Sequence, residues 1–107
     1  MTTWMNAIAV NELPAGESTI VELGNTELLL VNADGHFYAV ENVCSHDGEA
    51  LAGGEIDGEE IICPRHGARF CLKTGQVLCA PAYEDIKTYP VRITGNRVQV
   101  SVECDRD

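Results

Sequence analysis

Turn signals recur along this chain at short intervals: Pro14-Ala15-Gly16, Gly24-Asn25, Asp34-Gly35, Asp57-Gly58, Thr74-Gly75 and Gly95-Asn96. Asp-Gly and Gly-Asn pairs supply the positive φ that tight hairpins require. Between the turns lie short segments rich in β-branched and apolar residues, namely STIVEL, ELLLVNA, HFYAVEN, EEIIC, QVL, YPVRI and RVQVSV. In the last of these, Val98, Val100 and Val102 alternate with Arg97, Gln99 and Ser101, the period of a half-buried strand. No segment carries a helical stripe with caps. The chain is therefore expected to be all-β, a small sandwich or barrel of antiparallel hairpins.

Composition bounds the rest. The 107 residues are 45% hydrophobic and 22% charged, which is globular rather than disordered. That length gives one domain, residues 1–107, with one modest core. Aromatic content is only 6%, so a bound cofactor or metal has room to contribute to stability. The net charge of −10 argues against nucleic acid or an anionic membrane as partner. Acidic residues run from Glu12 to Glu60 before the first positive charge, Arg65; Arg69 and Lys73 follow it. That asymmetry suits either a solvated acidic surface or an acidic docking face whose charge changes around a site.

No apolar run reaches membrane-spanning length, and MTTWMNAIAVNELPAG lacks the charged start and apolar middle of a signal peptide. A cytoplasmic protein is expected, and nothing demands more than a monomer. Five cysteines in a reducing compartment read as ligands or free thiols rather than a disulfide framework.

Two loops break the strand pattern. Asn42 to Glu55, NVCSHDGEALAGGE, has three glycines, and CPRHGARF begins as a loop directly after a strand. Each carries a cysteine beside a histidine: Cys44-x-His46, sixteen residues, then Cys63-x-x-His66. Thiolate and neutral imidazole both bind iron and zinc, and two pairs from two loops can converge on one site. A single tetrahedral zinc in an interaction module satisfies the same four donors. In the common zinc finger, however, the cysteines come together and the histidines follow on a helix. Mixed pairs suit a binuclear centre in which one iron takes both sulfurs and the other both nitrogens.

This spacing, followed by Gly67, resembles the signature of Rieske [2Fe-2S] proteins. The resemblance continues through HGARFCLKTGQVL and APAYEDIKTYPVRI to the C-terminal hairpin, covering Asn42 to Val102 well and the N-terminal strands loosely. It implies a Rieske-like β fold with two cluster-binding loops and one [2Fe-2S] cluster. Cys44 and Cys63 would bind one iron and His46 and His66 the other, which raises the potential above that of all-cysteine clusters. The subunits of cytochrome bc-type complexes carry an extra cysteine in each loop, joined as a disulfide; Glu49 and Arg65 stand there in this chain. Those subunits also hydrogen-bond the cluster and a ligand sulfur through a serine and a tyrosine hydroxyl, and the matching residues are Ala68 and Phe70. Without those bonds the expected potential lies near the low end of the Rieske range, about −150 mV.

The resemblance narrows to soluble Rieske-type ferredoxins, similar to the ferredoxin component of bacterial aromatic-ring-hydroxylating dioxygenase systems. It implies an electron carrier rather than an enzyme, taking electrons from an NAD(P)H-dependent flavoprotein reductase and passing them to a terminal Rieske oxygenase. The small Rieske-like subunit of a nitrite reductase is the nearest alternative.

Other residues carry weaker expectations. Cys71 and Cys79 flank LKTGQV and read as free buried thiols, with a disulfide across the hairpin as the alternative. Cys104 sits in a polar tail, and His36 reads as a surface residue. Trp4, Phe37 and Tyr38 read as core or strand-edge aromatics. Pro81 resembles the proline of a third loop covering the cluster. Arg65 and Arg69 either shape the docking surface or pair with acidic side chains.

Overall fold

The computed structural model describes residues 4–43, 50–64, 67–80 and 84–102. Eleven strands lie within them: β1 (Trp4–Ala9), β2 (Ser18–Leu23), β3 (Thr26–Ala33), β4 (His36–Glu41), β5 (Glu55–Asp57), β6 (Glu60–Ile62), β7 (Arg69–Cys71), β8 (Val77–Cys79), β9 (Thr88–Tyr89), β10 (Val91–Thr94) and β11 (Arg97–Ser101). One short 3-10 turn, Val10–Glu12, follows β1. The all-β expectation holds, and every strand pair is antiparallel.

The strands form three sheets, ordered β1-β11-β10, β2-β3-β4-β9 and β5-β6-β7-β8. Strand β3 explains why they stack. Leu28, Leu29, Leu30 and Val31 are all fully buried, so this strand is covered on both faces. Leu28 and Leu30 pack with Leu13, Leu23 and Ala39 and with Val98 and Val100 of the β1-β11-β10 sheet. Leu29, Val31 and Ala33 pack on the opposite side with Leu51, Ile61, Cys63, Phe70 and Leu72, under the β5–β8 sheet. The expected single core is thus two clusters sharing β3. A continuous apolar run is what a strand with two buried faces requires.

The β3–β4 turn is pinned by buried Asn32. Its Nδ2 donates to the Leu13 carbonyl at 2.8 Å, and its Oδ1 accepts from the Gly35 amide at 2.7 Å. Asp34, with φ 54°, is the one non-glycine residue of positive φ among those described. Alternation in β11 breaks at its end: Ser101 is buried, and its amide donates to the Pro90 carbonyl at 3.0 Å. Trp4 is half-buried at a strand edge, with the Arg92 guanidinium 4.4 Å over its ring.

Candidate metal centre

Sheet β5–β8 carries the loops that hold the Cys/His pairs. Its strands are two or three registered pairs long, so its geometry depends on what its loops and glycines do. Of the four donors expected from the sequence, Cys63 lies among the described residues. Cys44, His46 and His66 lie outside them, as do Glu49, Arg65, Pro81 and Cys104. Among the described residues no three metal-binding side chains come together.

Cys63 is buried, 1% exposed, at the point where β6 ends, and its thiol is in no disulfide. Its amide donates to the Ala68 carbonyl at 2.7 Å, and its carbonyl accepts from the Gly67 amide at 3.0 Å. The second loop is therefore closed by its own backbone, with Gly67 at φ 78° making the reversal. Pro64 and Gly67 are exposed while Cys63 and Ala68 are buried. The loop thus projects from a sheet that holds its cysteine inward.

The first loop returns against the strand leading to Cys63. Glu55 pairs with Ile62, and Gly54 approaches so closely that a Cβ there would overlap the Ile62 carbonyl oxygen. The ends of the two loops are consequently neighbours. The far end of the first loop, at the end of β4, holds a residue that sequence reasoning passed over. Asn42 Oδ1 accepts from the amides of both Leu51 and Ala52 at 3.0 Å, and its Nδ2 donates to Glu27 Oε2 at 2.8 Å. Next to it, Glu41 Oε1 accepts from the Lys87 amide at 2.9 Å. Strand β4 thereby anchors the first loop and the chain leaving the third. Local Asx-turn patterns reach only a few residues, so the sequence carries no signal for these contacts nine and ten residues away.

The third loop starts beside the second. Cys79 is exposed, and its thiol donates to the Ala80 carbonyl at 3.2 Å, with the Gly67 carbonyl at 3.9 Å. Cys79 pairs with Arg69 in register, whereas Cys71 lies two residues further along β7. The two thiols do not face each other, and both are free. The expectation that both are buried is corrected: Cys71, the last residue of β7, is half-buried, and Cys79, on the edge strand β8, is exposed. Hydrogen bonds from the Thr74 hydroxyl, and from the backbone around it, pull the Cys71 thiol below the usual thiol range.

Arg69 resolves to the pairing alternative. Its guanidinium contacts Glu60 at 3.0 Å and Asp57 at 3.2 Å. Those bonds, Glu60 first, raise its already high pKa. His36 is exposed, as expected. Ala68 and Phe70 are both fully buried behind the second loop, with no hydroxyl to offer it.

Cys63, the one expected donor among the described residues, has the surroundings a metal ligand needs. A buried, unpaired thiol stands on a backbone-closed turn, and the other cysteine-bearing segment is tied down at both its ends beside it. Among the described residues no helix is long and apolar enough to cross a membrane.

Residues 3–90 match the family model of the Rieske [2Fe-2S] domain. The chain is 41% identical over 99 residues to the ferredoxin component of the naphthalene 1,2-dioxygenase system of Pseudomonas aeruginosa, covering 92% of this chain and 95% of that protein. Its fold matches a chain from a complex of reduced oxygenase and oxidised ferredoxin in carbazole 1,9a-dioxygenase, with TM-score 0.87, 28% identity and 97% of each chain covered. It also matches a protein described as an NADH-dependent nitrite reductase small subunit from Mycobacterium tuberculosis, with TM-score 0.88 and 26% identity over 98% of this chain and 99% of that one.

Proposed function

Because the chain belongs to the Rieske [2Fe-2S] family, we propose that it is the electron-carrying ferredoxin of a ring-hydroxylating oxygenase system, built as a single domain over residues 1–107. The observation that carries this reading is the 41% identity, over 92% of this chain, with a ferredoxin component of such a system. The single Rieske cluster supplies one-electron oxidation and reduction. Cys44 and Cys63 would hold one iron, and His46 and His66 the other.

The chain's own residues supply position and surroundings. Cys63 presents its sulfur from a turn closed by the Ala68 and Gly67 bonds. Leu51, Ile61, Phe70 and Leu72 back the site with apolar packing that excludes water from its inner side. The imidazoles of His46 and His66 are the proposed route for electrons at the outer side. The acidic surface would draw partners with basic docking patches, an attraction that weakens with salt. Those partners are a flavoprotein reductase that takes electrons from NAD(P)H and a terminal Rieske oxygenase, and the compartment is the cytoplasm.

The test is direct. Anaerobically purified protein should contain two irons and two acid-labile sulfides per chain, and should give, when reduced, an electron spin resonance spectrum of low average g value. It should then restore oxygenase turnover in the presence of a flavoprotein reductase. A colourless protein holding one zinc would refute the reading. A stable complex with a large nitrite reductase subunit would move the chain to that enzyme instead.

A further inference from the structure

Asn42 does something that neither the Cys/His spacing nor the family match assigns. It sits at the end of β4, two residues before Cys44 and four before His46. One oxygen, Oδ1, accepts the amides of Leu51 and Ala52, nine and ten residues ahead. Leu51 is fully buried in the cluster of residues under the β5–β8 sheet. Its amide would be an orphan donor at the edge of a core if the side chain were removed, and a buried unpaired donor is costly. The same asparagine is itself held, because Nδ2 donates to Glu27 Oε2 on β3. Among the described residues, the mouth of the first loop is thus tied by the Asn42 side chain, itself braced on the body of the protein. The second loop needs no such device, since its backbone closes it.

We propose that Asn42 is a positioning residue for the cluster: it clamps the mouth of the first loop and so sets how tightly Cys44 and His46 hold iron. This rests on the ferredoxin reading, in which those two residues are ligands. Without the clamp the mouth of the loop would lose the ties to the Leu51 and Ala52 amides, and each opening would expose iron to solvent.

The experiment uses the holoprotein and a strong iron chelator, with release followed by loss of visible absorption far below the unfolding temperature. Asn42→Ala should release iron about tenfold faster than the parent, the scale of two lost hydrogen bonds. Hydrogen exchange read by mass spectrometry should rise in the peptide containing Leu51 and Ala52. Combining Asn42→Asp with Glu27→Gln exchanges donor and acceptor across the Glu27 contact while keeping the oxygen that accepts both amides, and should restore slow release. Asn32→Ala is the control for general destabilisation, because Asn32 is buried and makes two hydrogen bonds that pin the β3–β4 turn, at the other end of that hairpin from Asn42. It should leave the release rate unchanged. Release from Asn42→Ala at the parent rate, or equal acceleration by Asn32→Ala, overturns the clamp. A parent protein without iron and labile sulfide sinks the ferredoxin reading and the clamp together, whereas a cluster-bearing parent with an unmoved release rate sinks the clamp alone.

Discussion

The β2-β3-β4 meander and the β5–β8 sheet are built on opposite economies. Strands β2 and β3 share six registered pairs, and so do β3 and β4. The β5–β8 strands are three residues each. Short ladders of that kind are marginal without packing. The small sheet therefore leans on the body, and its apolar cluster includes Leu29, Val31, Ala33 and Val40 from β3 and β4. The body is held by its ladders, while the site is held by close backbone approach, loop ties and borrowed core. Function needs loops free to present ligands, and loops shorten strands.

If that contrast is right, the most damaging small substitution should fall where the site sheet's backbone is tightest. Gly54→Ala would drive a methyl group into the Ile62 carbonyl, part of the backbone that leads to Cys63. A backbone atom cannot step aside as a flexible side chain would. The expected loss is at least about 3 kcal/mol, seen in thermal or denaturant unfolding. A Gly54→Ala protein as stable as the parent would mean that the first loop does not return against β6.

Removing the cluster should separate the two regions next. Metal binding contributes folding free energy where its ligands converge. In the apoprotein, amides of Ile61, Phe70 and Leu72 should lose hydrogen-exchange protection well before those of Leu29, Leu30 and Val31. Simultaneous loss across all six would show one cooperative unit and break the comparison.

The same division governs what the sequence disclosed. Strands β2, β3, β4 and β11 announce themselves through apolar runs and alternation between turn signals, because regular ladders impose a regular pattern. Three-residue strands such as β5 and β7 impose almost none; EID and RFC look like loop. YPVRI reads as one strand but splits into β9 and β10 at Pro90, which has no amide to donate. Strand β1 precedes the first turn signal, and its pairing partner β11 lies almost the whole chain away. The Cys/His spacing was legible because ligand chemistry tolerates few residue types. Asn42 was not, since its partners lie nine and ten residues on and nothing local marks them.

A smaller effect should appear at the wall behind the second loop. Phe70 and Ala68 are fully buried, so a hydroxyl introduced at either would face a dry site. Phe70→Tyr or Ala68→Ser should raise the midpoint potential by about 60 mV, the one-electron equivalent of a hydrogen bond of about 1.4 kcal/mol. Potentiometric titration decides it. Parent-like midpoints in both variants would mean that missing hydroxyls do not set the potential.

The smallest effect tests the seam between the regions. Tyr38 of β4 donates its hydroxyl to Glu59 Oε2, in the turn between β5 and β6, at 3.3 Å. Burial, then the Glu59 charge and that hydrogen bond, raise the Tyr38 pKa above its ordinary 10.0. A raised folded-state pKa contributes stability that is complete below about pH 10 and is lost as pH climbs through the raised value. Tyr38→Phe should therefore change stability by no more than about 0.5 kcal/mol at pH 7, yet flatten the decline above pH 10. Tyr89 is also raised, by burial and then by Glu41, but it lies on β9 within the body sheet. Tyr89→Phe should flatten the same decline without altering exchange at Ile61 or Phe70. Tyr38→Phe should loosen those amides near neutral pH, where the parent's hydroxyl is protonated and makes the tie that crosses from one region to the other. Identical exchange in the two variants would show that the Tyr38–Glu59 contact carries no part of the seam.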